Sequence, residues 1–180
     1  MKVIPTKLKG LFVIQPSIFE DARGHFFESY NKEVFHQHGI GIDFVQDNQS
    51  LSQKGVLRGL HFQNLPHAQA KLVRVITGSV LDVVVDIRKK SHTYGQHFSE
   101  ILSSADKNML YVPIGFAHGF LVLEDNTIFS YKCSGLYKKE SEDAILWCDS
   151  DLNINWGITS PSLSEKDKNA KIFKNFASNF

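Results

Sequence analysis

The chain has 180 residues and a mass of 20.4 kDa, the size of a single domain spanning 1–180 with a core of its own. Its 20 Lys and Arg against 19 Asp and Glu leave a formal net charge of +1, so no global excess of cations is available to hold a nucleic-acid backbone. No run approaches the ~18 apolar residues of a membrane span, and the first residues lack the apolar core of a signal peptide, which predicts a cytoplasmic chain with no membrane partner.

In chain order, Leu11 to Ile14 reads as a strand stopped by Gln15-Pro16, and Asp21 to Gly24 as a turn. An aromatic strand follows over His25 to Tyr30. Asn31 is placed to cap a helix over Lys32 to His38, with Gly39 closing it. Beyond it the pattern is short β-runs split by turn residues: Phe44 to Gln46, Val56 to Gln63, Lys71 to Thr77, Ser79 to Ile87, His97 to Leu102, Met109 to Val112, Gly119 to Leu123, Ile128 to Cys133 and Ala144 to Trp147. Such spacing without helical periodicity or long crossovers predicts an all-β jelly roll. Near the end, Ser164 with Asp167 resembles a capping box opening a C-terminal helix. Cys133 and Cys148 sit in apolar strand-like runs without CxxC spacing, which predicts buried, reduced thiols.

The polar side chains that break the apolar runs are the candidates for chemistry. Gly55, His61, Gln63, Lys71 and Gly78 stand at the spacing of the first cupin motif, and Pro113-Ile114-Gly115-Phe116-Ala117-His118 fits PxGxxH of the second. The resemblance implies a cupin-type β-barrel, but Gln63 replaces a ligand histidine and Lys71 stands near the acidic ligand's place. A cation there repels a divalent metal, so no metal is expected.

Phe26-Phe27-Glu28-Ser29-Tyr30, Val45-Gln46-Asp47-Asn48, Val56 to Gln63, Lys71-Leu72-Val73-Arg74, Asp82 to Arg88, Pro113 to Phe120 and Tyr131-Lys132, in this order, resemble the dTDP-4-dehydrorhamnose 3,5-epimerase family over about Leu11 to Asp167. The resemblance implies an isomerase of dTDP-rhamnose biosynthesis, and so of cell-surface polysaccharide and lipopolysaccharide, that needs no cofactor and acts on dTDP-4-keto-6-deoxyglucose as a homodimer.

Epimerisation beside a ketone needs a base for the α-proton, a cation or donor for the enolate oxygen, and an acid on the opposite face. His61 is the natural base, Lys71 the point charge and Tyr131 the donor. The resemblance assigns these same roles and pairs Asp167 with His61, although the capping box explains Asp167 without catalysis. It also carries substrate binding to Arg23, Glu28, Gln46, Asp47, Asn48, Arg58, His118, Glu142 and Lys166, and places Arg23 and Glu28 at the partner's site in the dimer. Asp82 and Asp86 share a strand face and are expected to support His61 or Lys71.

Arg58 and His61 have opposite parity, so both reach one pocket only if Gly59 marks a bulge. The alternatives are a C3-only epimerase or one for a related nucleotide sugar, a metal-dependent cupin oxygenase, and a non-catalytic sugar-binding cupin.

Overall fold

The computed structural model describes residues 1–180. Thirteen strands and two short helices follow one another as β1 (Lys2–Pro5), β2 (Phe12–Gln15), β3 (Phe19–Asp21), β4 (Gly24–Phe26), α1 (Lys32–Gln37), β5 (Gln46–Ser52), β6 (Leu57–Gln63), β7 (Lys71–Thr77), β8 (Ser79–Asp86), β9 (His97–Ser103), β10 (Met109–Val112), β11 (Phe116–Val122), β12 (Thr127–Cys133), β13 (Glu142–Ala144) and α2 (Glu165–Lys168). They form a six-stranded sheet ordered β1-β2-β10-β7-β12-β5, a five-stranded sheet ordered β13-β6-β11-β8-β9, and the separate hairpin β3-β4. Every strand pairing within these sheets is antiparallel. This is the jelly-roll architecture the strand spacing predicts.

Alternation along the strands divides the apolar residues into separate layers. Val73, Val75 and Phe129 of one sheet meet Val80, Val84, Phe120 and Val122 of the other inside the barrel. On the outer side of the five-stranded sheet, Leu57, Leu60, Val83 and Val85 are covered by the C-terminal segment through Leu152, Trp156 and Phe176. On the outer side of the six-stranded sheet, Phe35 and Ile40 pack on Ile14, Leu72 and Tyr111. Asn31 caps α1 by accepting from the Glu33 and Val34 amides, as its position predicts.

The differences from the sequence reading have identifiable causes. β5 runs Gln46–Ser52, beyond the expected Phe44 to Gln46, because neither of its faces is a continuous apolar stripe: Gln46, Asn48 and Ser50 share the face of Tyr131, while Asp47 and Gln49 point outward. β1 went unrecognised, and the aromatic strand expected over His25 to Tyr30 is cut to Gly24–Phe26. β11 starts at Phe116 instead of Gly119, so His118 lies within the strand. The expected C-terminal helix is a single turn, Glu165–Lys168, followed by a chain that lies against the sheet through aromatic contacts. Cys133 is buried, whereas Cys148 is exposed, contrary to the expectation for both thiols.

Candidate active site

The site opens from the inner face of β6, β11 and β12. Along β11, His118 pairs with His61 and Phe120 with Arg58, so three steps on β6 match two on β11. The extra residue is the bulge expected at Gly59. It restores parity, and Arg58 and His61 line one cavity of about 220 Å³ with His118, Phe120, Phe129 and Tyr131. Only glycine fits there: Gly59 has φ +139°, and an added Cβ would run into Gly119 Cα and lie 3.1 Å from the His118 carbonyl oxygen.

His61 Nε2 lies 2.5 Å from Asp167 Oδ1, across 106 residues of chain. The other Asp167 oxygen accepts from the Ser164 hydroxyl at 2.8 Å, while Ser164 Oγ accepts the Asp167 amide at 3.1 Å. The cap and the pair with His61 are therefore one arrangement, since a capping residue's carboxylate has an oxygen to spare. Burial pushes the Asp167 carboxyl up, but the His61 hydrogen bond and charge, with Ser164 and Lys166, outweigh it and hold the carboxyl below the usual range. With Nε2 on Asp167, Nδ1 is the free nitrogen of His61: it makes no protein hydrogen bond and is not sealed from solvent.

Tyr131 lies on β12 between Asn48 of β5 and Val73 of β7, and burial, the largest influence, pushes its phenol above the ordinary value. It therefore keeps its proton at neutral pH. Lys71 stands opposite Cys133, with its ammonium 5.9 Å from the centre of the Tyr131 ring. Burial pushes the Lys71 ammonium below the lysine range against the attraction of Cys133, Asp82 and Glu142. At the mouth, Glu142 pairs with Lys166 and accepts from the Tyr137 hydroxyl at 3.1 Å. Arg58 bonds Ser52 Oγ at 3.1 Å, Gln46 bonds Asn48 at 3.1 Å, and Asn48 reaches Cys133 Sγ at 3.6 Å.

Some expected residues lie elsewhere. Asp47 points to the outer face of the sheet, 2.9 Å from Lys132 Nζ, because the alternation that turns Gln46 and Asn48 inward turns it outward. Arg23 projects from the β3-β4 hairpin with a side chain 90% exposed, bound to Asp21, and Glu28 accepts from Asn31. Neither reaches the cavity of its own chain. Asp82 bonds His118 rather than His61 and attracts the Lys71 ammonium, as expected of it, whereas Asp86 is turned to Arg88, Ser91 and Thr93. Sequence reasoning missed Gln49, Ser50, Phe120 and Phe129 as cavity-lining residues. Phe129 was legible from its shared parity with Tyr131, whereas Ser50 lies on a polar strand with no apolar alternation to mark it.

A metal does not fit this donor set. Gln63, at the position of a cupin ligand, spends its amide on the His67 carbonyl at 2.9 Å and the Lys138 amide at 2.7 Å. His61 and His118 are each committed through Nε2 to a carboxylate, and the Lys71 ammonium brings positive charge.

Residues 5–175 match the family model described as dTDP-4-dehydrorhamnose 3,5-epimerase. The dTDP-4-dehydrorhamnose 3,5-epimerase of Shigella flexneri is 49% identical over 174 residues, 96% of each chain. Among solved structures, the Legionella pneumophila dTDP-6-deoxy-D-glucose-3,5-epimerase in complex with dTDP-4-keto-L-rhamnose is 45% identical, with a TM-score of 0.94 over 98% of this chain and 94% of that one. A 3'-monoepimerase from Streptomyces bikiniensis, solved as a His-to-Asn, Tyr-to-Phe double mutant with dTDP, is 33% identical, with a TM-score of 0.90 over 95% of this chain and 87% of that one. On this family match and these full-length likenesses, the chain belongs to the dTDP-4-dehydrorhamnose 3,5-epimerase family of isomerases.

Proposed function

We propose that His61, Asp167, Lys71 and Tyr131 carry out the epimerisation of dTDP-4-keto-6-deoxy-D-glucose at C3 and C5, giving dTDP-4-keto-L-rhamnose. The observation that carries this reading is the His61–Asp167 pair at 2.5 Å, which leaves His61 Nδ1 open in the cavity that Tyr131 also lines. Nδ1 takes the proton from the carbon beside the ketone, and Asp167 steadies the imidazolium that results. The C4 oxygen gains charge as the enolate forms, and the Lys71 ammonium, without a hydrogen bond of its own, turns to it. Tyr131 returns a proton to the opposite face. One inversion leaves His61 protonated and Tyr131 ionised, so both exchange with solvent before the next.

Arg58 and Lys166 meet the diphosphate, and Gln46, Asn48 and Glu142 contact nucleotide or sugar. His118 also faces the sugar. Residues 1–180 act as one domain in this reading, and the enzyme is cytoplasmic. Two chains pair so that the hairpin of each brings Arg23 and Glu28 to the other's site. Phe19 and Phe26, 65% and 69% exposed on that hairpin, support a covering partner. Sedimentation as a monomer at micromolar concentration would remove the dimer from this account.

Turnover in deuterated water tests the reaction. The expected product carries deuterium at both C3 and C5. Label at C3 alone establishes a monoepimerase instead.

A further inference from the structure

A second imidazole stands opposite the base. His118 on β11 is the register partner of His61 on β6, and directly opposed residues of antiparallel strands hold their Cβ atoms about 4.5–5.5 Å apart. His118 Nε2 lies 3.0 and 2.9 Å from the two carboxylate oxygens of Asp82. Asp82 is 0% exposed, and its side chain has no other hydrogen-bond partner. A carboxylate so buried is costly unless it is spent on a donor, so Nε2 carries the proton. His118 Nδ1 makes no protein hydrogen bond and is not sealed from the cavity. The ring is stacked on Phe129 at 6.2 Å and tilted against Phe120 at 6.4 Å, which leaves it little freedom. The β8-β11 pair thus repeats, one strand further into the sheet, what α2 and β6 build around His61.

We propose that Asp82 is a positioning residue for epimerisation, fixing His118 so that its Nδ1 accepts from a hydroxyl of the sugar and holds the ring square to His61. The inference rests on the epimerase reading above. Two carbons on either side of one ketone must come to the same base in turn, and the flexible stem of Lys71 leaves the C4 oxygen free to swing. A nitrogen held on a strand by a buried carboxylate gives the ring a second, fixed point. His118 transfers no proton here: it ends each inversion as it began, with Nε2–H on Asp82.

Asp82→Asn keeps the shape and removes the charge, and its amide is able to donate to Nε2 and so favour the other tautomer. The expected result is a kcat about 10- to 100-fold lower, with dTDP affinity within about threefold of wild type because the nucleotide contacts lie elsewhere. The ratio of deuterium at C3 to C5 in early product shifts as the ring loses its fixed point. In a His118→Gln background most of the Asp82→Asn loss is absent, because it has already been taken with the ring, and what is left is the attraction of Asp82 for Lys71. A kcat within twofold of wild type, or a loss that adds fully to that of His118→Gln, overturns the proposal. Should Asp82→Asn fail to fold, as read by its melting transition, His118→Asn carries the test: the same fall in kcat with dTDP binding kept supports the proposal, and unchanged kcat overturns it. Wild-type protein that exchanges no deuterium into this substrate sinks the epimerase reading itself, whereas active wild type matched by Asp82→Asn sinks the role of Asp82 alone.

Discussion

At the end of β8, Asp86 accepts from Arg88 Nε at 2.8 Å and Nη2 at 2.7 Å, from the Arg88 amide at 3.0 Å, and from the Ser91 and Thr93 hydroxyls at 2.6 Å each. Beneath β6, Asp167 accepts from His61 and Ser164. Both carboxylates are buried beside a group able to carry positive charge, and both sit below the usual range, Asp86 at about 2. The Asp86 cluster closes on itself: Arg88 Nη1 donates to the Lys9 carbonyl, and the guanidinium lies 4.3 Å from the Phe116 ring. The Asp167 pair does not close, because its imidazole has a second nitrogen with nothing in the protein to bond. A satisfied buried carboxylate stabilises a loop, whereas one that leaves its partner half-satisfied prepares that partner for a substrate.

The largest expected effect tests the open pair. His61→Asn is expected to lower kcat about 10³- to 10⁴-fold. Asp167→Asn falls somewhat short of that, because the ring remains but is no longer oriented or steadied. Steady-state turnover measures both, and either variant keeping wild-type kcat would make the pair structural.

Tyr131→Phe comes next, with net inversion reduced about 100-fold. Because His61 still removes and returns a proton on its own face, exchange of substrate hydrogen with deuterated water continues without inversion. Loss of that exchange together with inversion would place Tyr131 in proton abstraction.

The closed cluster responds in stability rather than rate. Relative to an unfolded value near 3.8, a folded value of about 2 corresponds to about 2 kcal/mol. Since the folded value is the depressed one, this stabilisation is present above about pH 4 and is lost as the pH falls toward 2. Asp86→Asn is accordingly expected to be about 2 kcal/mol less stable at pH 7, with the gap to wild type closing in acid and kcat unaltered. Denaturant melts across that pH range measure it, and a gap independent of pH would assign the loss to the loop's packing instead.

The smallest effect is expected at Asp47. Facing outward onto Lys132, it does not line the cavity, so Asp47→Ala should leave KM within about twofold. A tenfold rise in KM would bring Asp47 back to the substrate.

Much of this molecule was legible in its residues. Turn glycines and short apolar runs delimit most of the strands, and the parity of Phe129, Tyr131 and Cys133 places them together on the inner face. The Gly59 bulge followed from the mismatch between Arg58 and His61. The polar strand β5 was not legible, because a strand facing a wet cavity loses the apolar alternation by which strands are recognised. Nor was the exposure of Cys148, whose surroundings depend on how the C-terminal segment lies over the sheet.

The sequence by itself determined what acts over a few residues: most of the strand runs and the caps at Asn31 and Ser164. It also supplied the types of side chain that epimerisation requires. Only the tertiary structure decided which carboxylate each histidine received. Asp167 reaches His61 from 106 residues away because α2 lies over β6, and Asp82 reaches His118 because β8 and β11 are neighbours in a jelly roll. Local preferences act within a turn or along a strand, whereas these pairings join segments that meet only when the sheets and the C-terminal segment pack.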